Sequence, residues 1–213
     1  MEDTTPLFAD KTDETKSAIL KATFTALVEY GYADLTIERI SEHFPKSEGL
    51  VFYHYDGKDE VLLDLLDYLL ERFVQIGVPV PDDGDPEAQL RSLFDQVISQ
   101  ANEQQARDYE IVLMELRMRA AQDEEFQELI DESQDIFRDE VKNIIKSGIE
   151  SGDFREVEPE LVTDFLTTLV SGEIFERVTT GASQSIQTEL NNYIDSRILT
   201  SDGHNREEPN DTS

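Results

Sequence analysis

The stretches T-I-E-R-I-S at 36–41, K-S-E-G-L-V-F-Y-H-Y at 46–55 and G-K-D-E-V-L at 57–62 decide how this chain folds. Thr36 offers a capping hydroxyl, and Ile37 and Ile40 follow at helical spacing, so a short helix runs to about Phe44. Pro45 and Lys46 turn the chain, and Ser47 caps a second short helix through about Tyr53. Asp56-Gly57 turns it again. Lys58 then opens a long helix to about Ile76, with Val61, Leu62, Leu65, Leu66, Leu69 and Phe73 on its buried face. Upstream, Asp13 caps a helix to about Tyr30 whose apolar face is Ile19, Leu20, Phe24, Leu27 and Val28. Gly31, free to adopt positive φ, ends it.

The rest of the chain reads as helix too. Residues 78–85, V-P-V-P-D-D-G-D, form a linker, and Pro86 starts a new helix capped by Asp85. Further helices are expected at 86–103, 106–121, 123–150, 159–180 and 184–199, with breaks at Gly152-Asp153 and Gly181. No strand alternation or internal repeat appears. The fold class is therefore all-α. A mobile arm (1–12) precedes a three-helix helix-turn-helix head (13–57). A linking helix (58–77), a C-terminal helical domain (78–200) and a disordered tail (201–213) follow.

Composition narrows the chemistry. The chain has 213 residues, no cysteine, and 48 Asp+Glu against 18 Lys+Arg, a net charge of −30. Disulfides, cysteine-bound metals and thiol nucleophiles are excluded. His43, His54 and His204 are scattered, so no metal site is expected. No nucleophile–base pair or Gly-rich phosphate loop appears, so no catalytic residue is assigned and an enzyme is not expected. Residues 1–10 lack the basic and apolar regions of a signal peptide, and no segment reaches the ~18–20 apolar residues of a membrane span, so a soluble cytoplasmic protein is expected. The acids are spread along the whole chain. That pattern points to a halophilic source, because at ~1 M salt the Debye length falls to about 3 Å and self-repulsion is screened.

Two short helices joined by a tight turn form a helix-turn-helix, whose second helix lies in a DNA major groove while helix N-termini and hydroxyls hold phosphates. Here the sequence resembles the TetR/AcrR family of transcriptional repressors, in register over residues 16–62. It carries Gly31 and the three stretches quoted above, against a family pattern of T-x-x-x-I-A, a turn, S-x-G-x-L-Y-x-H-F, then S-K-E-x-L. A weaker resemblance lies in E-L-R-M-R-A-A-Q-D at 115–123 and G-D-F-R-E-V-E-P at 152–159.

The resemblance implies a role for each matched residue. Thr36 and Ser47 cap helices and touch phosphates, and Gly49 lets the recognition helix approach the DNA backbone. Leu50 and Tyr53 face the groove, His54 and Lys58 reach phosphates, and Val51 and Tyr55 sit against the module's core. Lys46, Lys58 and Arg39 are expected around the recognition helix, where phosphate charge needs neutralising. Three positions depart from the pattern. Phe52 replaces a tyrosine, Pro45 a turn glycine, and Glu48 puts a carboxylate near the phosphates.

In the C-terminal half, the last two helices carry wide apolar faces and are the expected homodimer interface. Phe165, Leu169, Gly172, Phe175, Leu190 and Ile194 would contribute to a four-helix bundle. The resemblance implies that the middle helices enclose a pocket for a small-molecule effector, with Phe94, Val97, Tyr109, Leu113, Met114, Arg117 and Phe137 as lining candidates. Arg117 stands out, since a buried cation requires an anionic partner. That partner is Glu115, another acid or an acidic ligand.

The reading is a ligand-responsive, sequence-specific regulator of transcription, a repressor released by an effector. As a homodimer it would bind a pseudo-palindromic double-stranded DNA operator, without a cofactor. The competing reading is an acidic all-helical interaction protein that does not bind DNA.

Overall fold

The structure is a computed structural model describing residues 14–77, 84–99, 104–181 and 186–200. The expected arm, most of the Pro/Asp linker, Asp13, His204 and the tail lie outside these residues. Every described element is a helix. They are α1 (Glu14–Asp34), α2 (Ile37–His43), α3 (Glu48–His54), α4 (Lys58–Gly77), α5 (Pro86–Ser99), α6 (Gln104–Ala120), α7 (Glu124–Ser151), α8 (Pro159–Thr180) and α9 (Gln187–Tyr193). A π-helical turn, Ile194–Ile198, continues α9.

Two compact units are present. One gathers α1–α4, α6 and α7 as far as Asp135; the other holds α5, α7 from Ile136, α8 and α9. The helix-turn-helix is thus part of a larger core than the 13–57 head expected from sequence. Ile19, Leu20, Leu27, Ile40 and Val51 share that core with Leu62, Leu66 and Leu69 of α4, Val112 and Leu116 of α6, and Phe126 of α7. Each such side chain contributes about 1.5–3 kcal/mol of burial free energy. The residues of α2 and α3 alone bury too little to hold a fold, which is why the periodicity of α6 and α7 had to complete it.

Some boundaries differ from expectation. Helix α1 resumes after Gly31 and runs to Asp34, with Gly31 at φ 70°, ψ 166°. Val28, assigned to its buried face, is 42% exposed. Asp85 caps α5 as expected, its carboxylate accepting the backbone N–H groups of Glu87 (3.0 Å) and Ala88 (3.3 Å).

In the second unit, Gly148 of α7 gives way to the Phe154 ring. A Cβ there would lie 2.2 Å from Phe154, so only glycine admits the contact. Arg155 donates its backbone N–H to Ile198 (2.7 Å), and Thr200 donates to Asp153 (2.9 Å). These bonds pin the end of the π-turn beside the α7–α8 loop.

Candidate nucleic-acid interface

Helix α3 has seven residues and one fully buried side chain, Val51. Val51 and the following Tyr55, 3% exposed, anchor it to the core, where Tyr55 also donates its hydroxyl to Asp64. With the inner face so occupied, the opposite face turns to solvent. Tyr53 is 80% and Phe52 51% exposed, unusual for large rings on a short helix. A Cβ built on Gly49 meets no atom within 4 Å, so this face is open to close approach. Leu50 is half-buried against the core rather than fully outward. His54 is half-buried, edge-on to Tyr53 with ring centroids 5.3 Å apart.

The two helix starts behave differently. Thr36 caps α2, its hydroxyl accepting the Arg39 backbone N–H at 3.3 Å. Glu38 is held below the ordinary carboxylate range by its own backbone N–H and the Thr36 hydroxyl. Ser47 occupies the capping position of α3 but makes no side-chain capping bond. Its carbonyl instead accepts the Leu50 N–H at 2.9 Å, closing the turn through the backbone. The exposed Ser47 hydroxyl is therefore not used as a cap. Glu48 stands in the first turn of α3, where a negative charge favours the helix dipole.

The three cations expected around α3 are drawn elsewhere. Lys46 donates to the Thr15 hydroxyl on α1 (2.9 Å). Arg39 stacks on the Tyr30 ring at 4.5 Å and pairs with Asp34. Lys58 turns inward, donating to the carbonyls of Tyr32 and Leu35 (3.3 Å each) over the Tyr32 ring. Both carbonyls lie at the C-terminal end of α1, where a cation complements exposed C=O groups. Spacing alone carried no sign of this use, because Lys58 is 23 or more residues from these partners.

Further contacts escaped the sequence for the same reason. Glu115 of α6 accepts the Tyr32 backbone N–H. The Tyr30 hydroxyl, beside Glu29 and donating to Glu42 at 2.9 Å, is pushed up to about 12 by these carboxylates.

The other candidates fall in separate units. Tyr109, Leu113, Met114 and Arg117 lie half-buried on α6, and Tyr109 donates its hydroxyl to the Leu69 carbonyl at 2.8 Å. Phe94, Val97 and Phe137 are buried in the second unit, where the Phe94 and Phe137 rings meet edge to face at 6.3 Å.

On α8, Phe165 (47%) and Phe175 (48%) are exposed together with Leu161. Gly172 has open space around it, and Leu169 is half-buried. Leu190 and Ile194 are 1% and 0% exposed within the single chain. Their faces are filled intramolecularly, where the sequence had placed them at the interface. Among the described residues no group of three or more His, Asp or Glu is placed to hold a metal ion, and no helix is long and apolar enough to cross a membrane.

Residues 19–65 match the model of the family described as bacterial regulatory proteins, tetR family. A TetR transcription regulator from Haloarcula marismortui is 35% identical and superposes with a TM-score of 0.80, over 87% of this chain and 99% of its own. The HTH-type transcriptional repressor AcnR of Corynebacterium glutamicum is 24% identical over 194 residues, 91% of this chain and 97% of AcnR. A protein of Saccharomonospora viridis, solved in complex with choline, shares the fold at a TM-score of 0.75. It is 18% identical and aligns over 88% of this chain and 98% of its own.

Proposed function

The chain belongs to the TetR family of regulatory proteins, and from that premise we propose that it works as a homodimeric repressor whose grip on a pseudo-palindromic operator is loosened by a small organic effector. It is a helix-turn-helix transcriptional regulator. The observation carrying the DNA-binding role is the outer face of α3. Tyr53 and Phe52 stand exposed around the open Gly49, on a helix anchored from behind by Val51 and Tyr55. Such a face offers rings to base edges and sugars and lets the backbone come close to DNA.

Thr36, Ser47, Lys46 and His54 are assigned phosphate contacts. Leu50 is assigned the inner edge of the groove contact. Lys58 is assigned a structural share as well, because its ammonium serves the end of α1. Lys46 swings from Thr15, an exposed bond that costs little to exchange for a phosphate. With so few cations, binding leans on groove fit and helix N-termini more than on bulk attraction.

Dimerisation is assigned to α8, through Leu161, Phe165, Leu169, Gly172 and Phe175. This stripe of apolar and small residues lies open on one chain, and such a patch marks a protein contact. Leu190 and Ile194 support it from inside. Effector release is a population shift. The ligand loosens operator binding only by as much as it prefers a conformation whose heads are wrongly spaced. Likeness to the repressor AcnR supports the repressor role, and the choline-bound fold neighbour supports binding of a small organic ligand.

The test is binding of the full chain to DNA upstream of its own gene, at KCl from ~0.1 M to multimolar. A sequence-specific shift is expected. Its absence at every salt concentration overturns the proposal.

A further inference from the structure

Arg117 lies half-buried on α6, and its Nε is shut from solvent without a hydrogen-bond partner. The acids near it in sequence serve other groups. Glu115 is committed to the Tyr32 N–H at 3.0 Å. Asp123 pairs with Arg119 at 3.1 Å. The polar neighbour of Arg117 is Tyr109, whose hydroxyl donates to the Leu69 carbonyl and whose pKa is raised by burial, so it remains a neutral phenol. Among the described residues no carboxylate balances Arg117. Burial draws its pKa down, yet a guanidinium keeps its proton at any working pH.

A cation whose Nε is closed off from water without a partner is costly, and an anion removes that cost. This chain carries 48 acidic residues, so the missing carboxylate is no matter of scarcity. We propose that Arg117, with Tyr109 beside it, receives the carboxylate or phosphate group of the effector. The planar fork of arginine matches both groups through paired N–H donors. Leu113 and Met114, one turn back on α6 and half-buried, offer apolar surface to the rest of the ligand. Two residues from Arg117, Glu115 holds the end of α1, the first helix of the DNA-binding module. A ligand that shifts α6 therefore pulls on that bond directly. The inference rests on the regulator reading and names the class of its effector as an anion.

The test follows thermal unfolding of the full chain at constant ionic strength. KCl is replaced in part by potassium phosphate, or sodium octanoate is added, with octanol as the uncharged control. Phosphate or octanoate is expected to raise the Tm of the wild type, and which of them does so separates the two anion chemistries. Arg117→Met is expected to raise the Tm without anion and to weaken anion binding roughly tenfold or more. Arg117→Lys, which keeps a charge but loses the fork, should retain a reduced response. The proposal is overturned if neither anion stabilises the wild type more than Arg117→Met, or if octanol matches octanoate. Promoter binding is measured on the same samples. Intact DNA binding with no anion response removes the anion site alone, whereas a wild type that binds no DNA removes the regulator reading and the effector role with it.

Discussion

The Glu115 carboxylate of α6 accepts the backbone N–H of Tyr32 at 3.0 Å, across 83 residues of sequence. From the other side, Lys58 donates to the carbonyls of Tyr32 and Leu35. The C-terminal end of α1 is thus held at an N–H by an acid from α6 and at C=O groups by a base from α4.

Glu115→Ala removes the carboxylate that accepts the part-buried Tyr32 N–H. Bonds to charged groups contribute about 1.5–3 kcal/mol. Urea unfolding should show a loss near the lower end, with weaker DNA binding. Glu115→Gln, which keeps an acceptor oxygen, should lose less.

Gly31 sits at φ 70°, ψ 166°, a region open essentially to glycine. Gly31→Ala should cost about 1–3 kcal/mol. The built Cβ lies at an ordinary 3.5 Å from the Glu115 carboxylate, so the penalty comes from the backbone and not from crowding. Thermal unfolding of the variant against wild type checks this.

Tyr53→Ala and Lys58→Ala should separate recognition from structure. Tyr53 is exposed, so its loss should leave stability within about 0.5 kcal/mol while weakening operator binding roughly tenfold or more. Lys58→Ala should weaken binding and also cost about 1 kcal/mol of stability, since two carbonyls lose their donor. Fluorescence anisotropy with operator DNA, paired with unfolding curves, reads both quantities.

Phe165→Glu or Leu161→Glu should shift the chain to a monomer by light scattering while each protomer stays folded. Leu190→Ala should act oppositely, destabilising the protomer by about 2–5 kcal/mol, because it opens a cavity in a filled core. A dimer unaffected by either α8 substitution would remove α8 as the interface.

The charge of −30 predicts a salt response. Raising KCl from ~0.1 M to ~1 M shortens the Debye length from about 10 Å to about 3 Å and relieves self-repulsion. A gain of about 2 kcal/mol would raise Tm by roughly 4–8 °C in a chain of this size. A flat or falling Tm across that range would falsify the halophilic reading of the acidity.

Legibility of the chain followed the range of the interactions. The spacing of Ile37 and Ile40, the Thr36 hydroxyl and the Asp85–Pro86 pair are local signals, and they located α2 and α5. Val51 and Tyr55 were placed in the core by the family resemblance, and both are buried. Ser47 was read as a cap because its type and position fit, yet its turn closes through the backbone. Leu190 and Ile194 were read as interface because an apolar stripe on a helix looks the same whether its partner lies in the same chain or in another.

The sequence by itself determined that this is an all-helical regulator with a DNA-reading head. Helical periodicity, caps and turn residues act over three or four positions, and the recognition motif is contiguous. Only the tertiary structure decided that α6 and the start of α7 complete the head's core. The same holds for the inward turn of Lys58, for Glu115 serving Tyr32, and for Arg117 finding no acid among the described residues. Those outcomes depend on which distant backbone groups end up unsatisfied after the helices pack, and no short window of residues contains that information.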